Sequence, residues 1–148
     1  MQDHKRRVQE DARFSLHDAK VIDMDFEDDK KTLVFKTQNG FVDIEKNKVV
    51  QGEVRIEGTS LEDSYVYIME YKNVLTGNIG SFIGEKMNLL TFISAFHTKF
   101  LSFDIMSEYD SYKTYVLSGF LSRGEDDLEA RIEIFYWGDF VYRVLEDE

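Results

Sequence analysis

From Phe14 onward, apolar residues recur at every second position between short polar breaks. That period is what a strand with one buried face requires, because successive side chains leave a strand on opposite sides. Ile22, Met24 and Phe26 alternate with Asp23 and Asp25, which gives a half-buried strand running from about Phe14 to Phe26. A turn through Glu27 to Lys30 leads to a second strand with Leu33 and Phe35 inward.

Asn39-Gly40 carries two residues that tolerate positive φ, as a two-residue type I′ turn demands, so it is read as a hairpin into a third strand with Val42 and Ile44. A fourth strand after Asn47 places Val50, Val54 and Ile56 on one face, with Gly52 marking a bulge. In the fifth, Tyr65, Tyr67, Met69 and Tyr71 oppose Val66 and Ile68, which suggests a central strand covered on both sides. From Glu85 to Thr98 the period changes to three and four, through Leu89, Leu90, Ile93 and Phe96, and predicts an amphipathic helix over 85–98. Alternation returns with Leu101, Phe103 and Ile105, then from about Tyr112 to Ser122. Last come Ile132, Ile134 and Tyr136, turning at Gly138-Asp139 into a hairpin with Tyr142 and Val144. The fold expected is mainly β, a β-sandwich or a strongly curved antiparallel sheet, with one packed helix near 85–98; it borders on the α+β class.

A chain of 148 residues without proline, repeat or linker is the size of one domain. The polar stretch 1–12 reads as a flexible or helical arm and 13–148 as the β-rich domain. The net charge of −11 lies in the body, since Met1 to Arg13 contributes four basic and three acidic residues of the eighteen and twenty-nine in the whole. Such a surface repels phosphates and anionic lipid, so neither nucleic acid nor membrane is an expected partner, whereas a basic protein is. The acidic runs Glu27-Asp28-Asp29, Glu125-Asp126-Asp127 and Glu146-Asp147-Glu148 read first as solvated turns and a terminus. The absence of an apolar leader in these residues, of any long apolar run and of cysteine fits a cytoplasmic setting.

Chemistry-bearing patterns are sparse. His4, His17 and His97 form no metal-ligand spacing, and Asp23 and Asp25 are explained as solvent-facing strand positions, so neither metal nor cofactor is expected. His17-Asp18 is an imidazole beside a carboxylate, but adjacent strand residues point apart and no nucleophile elbow accompanies them. Gly77, Gly80 and Gly84 form a glycine-rich loop ahead of the helix; Glu85-Lys86-Met87 after Gly84 departs from the Lys-Ser/Thr of a phosphate loop, leaving a connection beside a cleft. Tyr65, Tyr67, Tyr71, Tyr109, Tyr112 and Tyr115 divide between core filling and an exposed aromatic platform.

The opening Phe14-Ser15-Leu16-His17-Asp18-Ala19-Lys20-Val21, with the charged turn and Leu33-Val34-Phe35 that follow, resembles the start of small bacterial β-rich domains of unknown function. Some relatives of those domains serve as immunity proteins against polymorphic toxins. The resemblance implies a non-catalytic interaction module and transfers no functional residue. Beside it stands a small-ligand-binding β domain with a cleft near Gly77 to Gly84; an enzyme ranks below both.

Overall fold

A computed structural model describes residues 1–6, 12–72 and 81–145, with backbone alone for 71–72 and 81–83. Its strands are β1 (Gln2–Lys5), β2 (Phe14–Ser15), β3 (Lys20–Glu27), β4 (Thr32–Thr37), β5 (Phe41–Asp43), β6 (Lys48–Val50), β7 (Gly52–Ile56), β8 (Tyr65–Lys72), β9 (Ser81–Asn88), β10 (Ser102–Ser111), β11 (Thr114–Ser122), β12 (Asp127–Phe135) and β13 (Phe140–Val144). One helix, α1 (Leu89–Lys99), stands between β9 and β10. The strands form a ten-stranded sheet in the order β1-β13-β7-β4-β3-β10-β11-β12-β8-β9 and a small sheet β2-β5-β6, with every pairing antiparallel.

The large sheet is strongly curved. β13 and β11 are five places apart, which would be roughly 24 Å in a flat sheet, yet the rings of Phe140 and Tyr115 meet at 4.7 Å. Inward residues of both halves therefore share one core, including Val21, Met24, Leu33, Phe35, Val54, Ile56, Ile132 and Ile134, closed at one side by Phe14 and Phe41 of the small sheet. Helix α1 lines the inner face with Leu89, Phe92, Ile93 and Phe96. The Asn88 side chain accepts the Thr91 N–H at 2.8 Å and caps its N-terminus.

Several expectations change. Residues 2–5 are an edge strand paired with β13, not a flexible or helical arm. The helix begins at Leu89 rather than 85, because 85–88 still pair with 65–68. The stretch 14–26 is two strands broken at Asp18, whose φ is +66°, and a register shift between Val21 and Asp23 leaves Ile22 exposed. Asn39-Gly40 is no hairpin turn: only Gly40 takes positive φ, and the chain passes there from the large sheet into the small one, burying Phe41 rather than Val42 or Ile44. Gly138-Asp139 is likewise a corner, since β12 pairs with β11 and β8 while β13 pairs with β1 and β7. Leu101 is exposed. β8 lies one place from the edge instead of at the centre, and its tyrosine side stays partly open.

Candidate functional site

Strand register decides which side chains share a face. Across β10-β11-β12-β8, Tyr109 pairs with Val116, Val116 with Glu133 and Glu133 with Tyr65. The next outward row runs Ser107, Ser118, Arg131, Tyr67 and Lys86, and the one after it Asp104, Phe120, Glu129, Met69 and Gly84. Phe135 extends the face at its other end, opposite Thr114. Inward residues alternate with these, and the helix lies on that inner side, so among the described residues no helix or strand is layered over the outer face of β10-β11-β12-β8-β9. Tyr109 remains 58% exposed and Phe120 43%.

Beyond the end of this face, two turns bring Tyr112 and Trp137 together, exposed at 82% and 62%. The Lys113 ammonium lies 5.4 Å from the Tyr112 ring centre and 4.7 Å from that of Trp137. Phe135 meets Trp137 edge-on at 5.0 Å. Backbone bonds fix the corner: Trp137 N–H donates to Gly58 C=O at 2.9 Å and Tyr136 N–H to Lys113 C=O at 3.0 Å. On the sheet itself, Lys86 stacks over Tyr65 and Tyr67, with Nζ 4.3 and 5.5 Å from the ring centres. Tyr67, Met69, Gly84, Lys86, Arg131 and Glu133 bound a groove of about 430 Å³, opened where Gly84 supplies no side chain.

The other half of the outer surface has a different chemistry. Asp23, Lys36, Glu53, Arg143 and Asp3 follow one another across β3-β4-β7-β13-β1, a row of alternating charge. Arg143 holds both oxygens of Asp3, at 2.8 and 3.0 Å, and Arg55 bridges Glu53 and Glu27. The Arg143 hydrogen bond holds the Asp3 carboxyl below its ordinary range, and that of Arg55 does the same for Glu27.

Of the tyrosines singled out by sequence, Tyr65, Tyr67 and Tyr109 thus share one face and Tyr112 lies at its end. Tyr115 is a correction: it is fully buried, with its hydroxyl donating to Glu108. Burial, reinforced by the Glu108 charge, pushes its phenol well above the usual value. The Tyr71 side chain, Gly77 and Gly80 lie outside the described residues, and Gly84 borders the outer groove. Sequence reading missed Phe120, Phe135, Trp137, Lys86 and Arg131. The parity of Leu117 and Leu121 against Phe120 was the available signal for the first of these.

Other candidates resolve differently. A gap between sheet and helix does exist, bordered by Ile68, Met87, Ala95, Phe100 and Leu128, but its volume of about 140 Å³ falls below the several hundred that ligand sites occupy. A polar cleft of about 520 Å³ lies where His4, Arg13, Asp43 and Lys48 converge; its guanidinium already engages Asp43 at 3.4 Å. His17 and Asp18 do pair, Nδ1 to Oδ2 at 3.0 Å, because they occupy a turn and not a strand, and both are exposed. His97, far from Asp23 and Asp25 in sequence, meets both carboxylates. Among the described residues no helix is long and apolar enough to cross a membrane. No family model, curated protein or solved structure matches this chain.

Proposed function

We propose that this chain is a non-catalytic, immunity-type interaction module that docks a basic protein against the outer face of β10-β11-β12-β8-β9. The observation that carries the reading is the register that aligns Tyr65, Tyr67, Tyr109, Phe120 and Phe135 on four adjacent strands with nothing described above them. Tyrosine and tryptophan with neighbouring cations are the side chains that concentrate binding energy in protein interfaces. Five strands of 8 to 10 residues present roughly 700 Å² of projected sheet. The Tyr112–Trp137 corner adds to this, approaching the about 800 Å² that one partner contributes to a stable complex. The groove at Tyr67 and Gly84 suits an inserted side chain from the partner. A net charge of −11 selects a basic partner by long-range attraction and repels nucleic acid.

Affinity capture with the full chain, followed by calorimetric titration of each purified hit, tests this. A basic protein should bind, with Tyr67→Ala and Phe120→Ala together weakening it about tenfold or more and Asp3→Asn on the opposite half leaving it unchanged. Binding that survives both aromatic substitutions, or that follows the charged half, would remove the proposal. The groove volume also favours a second reading, a small ligand stacked on Tyr67, for which a thermal-shift panel of sugars, lipids and nucleotides should give stabilisation that Tyr67→Ala abolishes.

A further inference from the structure

On the charged half of the outer surface, Asp3, Glu27 and Glu53 are each met by a guanidinium. Asp23 and Asp25 are the exception. They stand two residues apart on the same side of β3, and among the described residues the basic group within ion-pair distance of both is the imidazole of His97, delivered from the last turn of α1. Lys36 faces Asp23 across the β3–β4 pairing yet makes no ion pair with it.

The distances are those of metal ligands. Nε2 of His97 lies 3.3 Å from Oδ1 of Asp23 and 3.3 Å from Oδ1 of Asp25, and one ligand atom from each of the three residues lies within 4.8 Å of the others. A tetrahedral ion with bonds of 2.0 to 2.2 Å separates its ligands by about 3.4 Å. The positions come from two elements held by independent packing, β3 by its pairing with β4 and α1 by its buried face. The Asp23 carboxylate is also oriented by the Met24 N–H at 3.0 Å, as supported metal ligands are. We propose that Asp23, Asp25 and His97 form a site for a divalent transition-metal ion of the zinc class, with at least one coordination position open to solvent. One imidazole and two carboxylates suit zinc or cobalt, whereas calcium and magnesium take all-oxygen shells. The ion ties the end of α1 to β3 and is separate from the aromatic face.

Titration of the full-length protein with zinc chloride by calorimetry, and with cobalt by visible absorption, tests the site. Zinc should bind with a micromolar Kd and raise Tm; cobalt should give d–d bands of a nitrogen- and oxygen-ligated ion. His97→Gln and Asp25→Asn, each checked for folding by circular dichroism, should weaken zinc about tenfold or more, while His17→Gln should not. In the unmodified protein, zinc should shift the His97 ring resonances in the NMR spectrum and leave those of His17 in place. No binding at millimolar zinc, an unmoved His97 ring, or equal affinity in His97→Gln would each overturn the proposal.

Discussion

Replacing Arg6 by methionine probes whether the polar N-terminal segment belongs to the fold. Its backbone N–H donates to Phe140 C=O at 2.7 Å, its side chain is only 9% exposed, and its guanidinium pairs with Asp110 and lies 4.7 Å from the Tyr115 ring centre and 5.2 Å from that of Phe140. Methionine keeps the apolar bulk between the rings and removes the cation. A hydrogen bond to a charged group contributes about 1.5–3 kcal/mol and a desolvated cation over an aromatic face about 0.5–2, part of which is offset by relief of the arginine's own desolvation. The expected loss is about 2–4 kcal/mol. Urea denaturation followed by far-UV circular dichroism measures it. Asp110→Asn completes a double-mutant cycle, in which the pair should show a coupling of about 1–3 kcal/mol. A loss below about 0.5 kcal/mol, the range of an ordinary surface substitution, would mean that the segment is not docked, and zero coupling would mean that the ion pair does not form.

Two further outcomes are expected. A methyl group built on Gly119 would lie 1.9 Å from the Asp104 carbonyl oxygen beside the β10 bulge, so Gly119→Ala should cost about 3 kcal/mol or more; Gly124→Ala, with open space but φ of +107°, should cost only about 1–2 by the same denaturation assay. Burial alone would raise the Asp43 carboxyl, but the Lys46 N–H and the Arg13 guanidinium outweigh it and hold the group below its ordinary 3.8. That lowered value adds stability present in full well above pH 3.8 and lost as pH falls below it. Asp43→Asn should therefore flatten the acid limb of a stability-versus-pH curve, and an unchanged limb would refute the assignment.

The sheet was legible wherever one face is buried, because a period of two then has a single meaning: Leu33 with Phe35, and Ile132 with Ile134, are inward as expected. Connectivity was not. The residues at Asn39-Gly40 and Gly138-Asp139 signal that the chain bends, but nothing local distinguishes a hairpin from a corner leading to a distant strand. The helix start was misread because Glu85 and Met87 occupy positions that fit both periods until Asn88 caps the turn. Arg6 falls in the stretch 1–12 that the sequence presents as a flexible or helical arm, because a guanidinium between two rings depends on partners more than a hundred residues away. Tyr109 and Tyr115, six residues apart, face opposite sides because the β10–β11 turn pairs Tyr109 with Val116, which puts Tyr115 on the other face. The convergence of His97 with Asp23 and Asp25 likewise required the helix to fold back on β3.

The two halves of one sheet face solvent with opposite strategies, and the difference bears on what each can bind. Where Arg55 holds Glu27 and Glu53, and Arg143 holds Asp3, a partner would have to break pairs already formed, and little is gained by contact. On the aromatic half, Arg131 with Glu133 is the one ion pair among the described rows, and docking there displaces water from rings of which Tyr65 and Tyr67 already carry the Lys86 ammonium. An open face of this kind beside the edge strand β9 invites self-association, since an unpaired strand edge is a template for another. Lys86 on that strand and a net charge of −11 oppose the approach of a second copy. The net charge does not hinder a basic protein, so the same excess of acid that keeps the chains apart leaves the Tyr67 and Phe120 face accessible to the class of partner proposed for it.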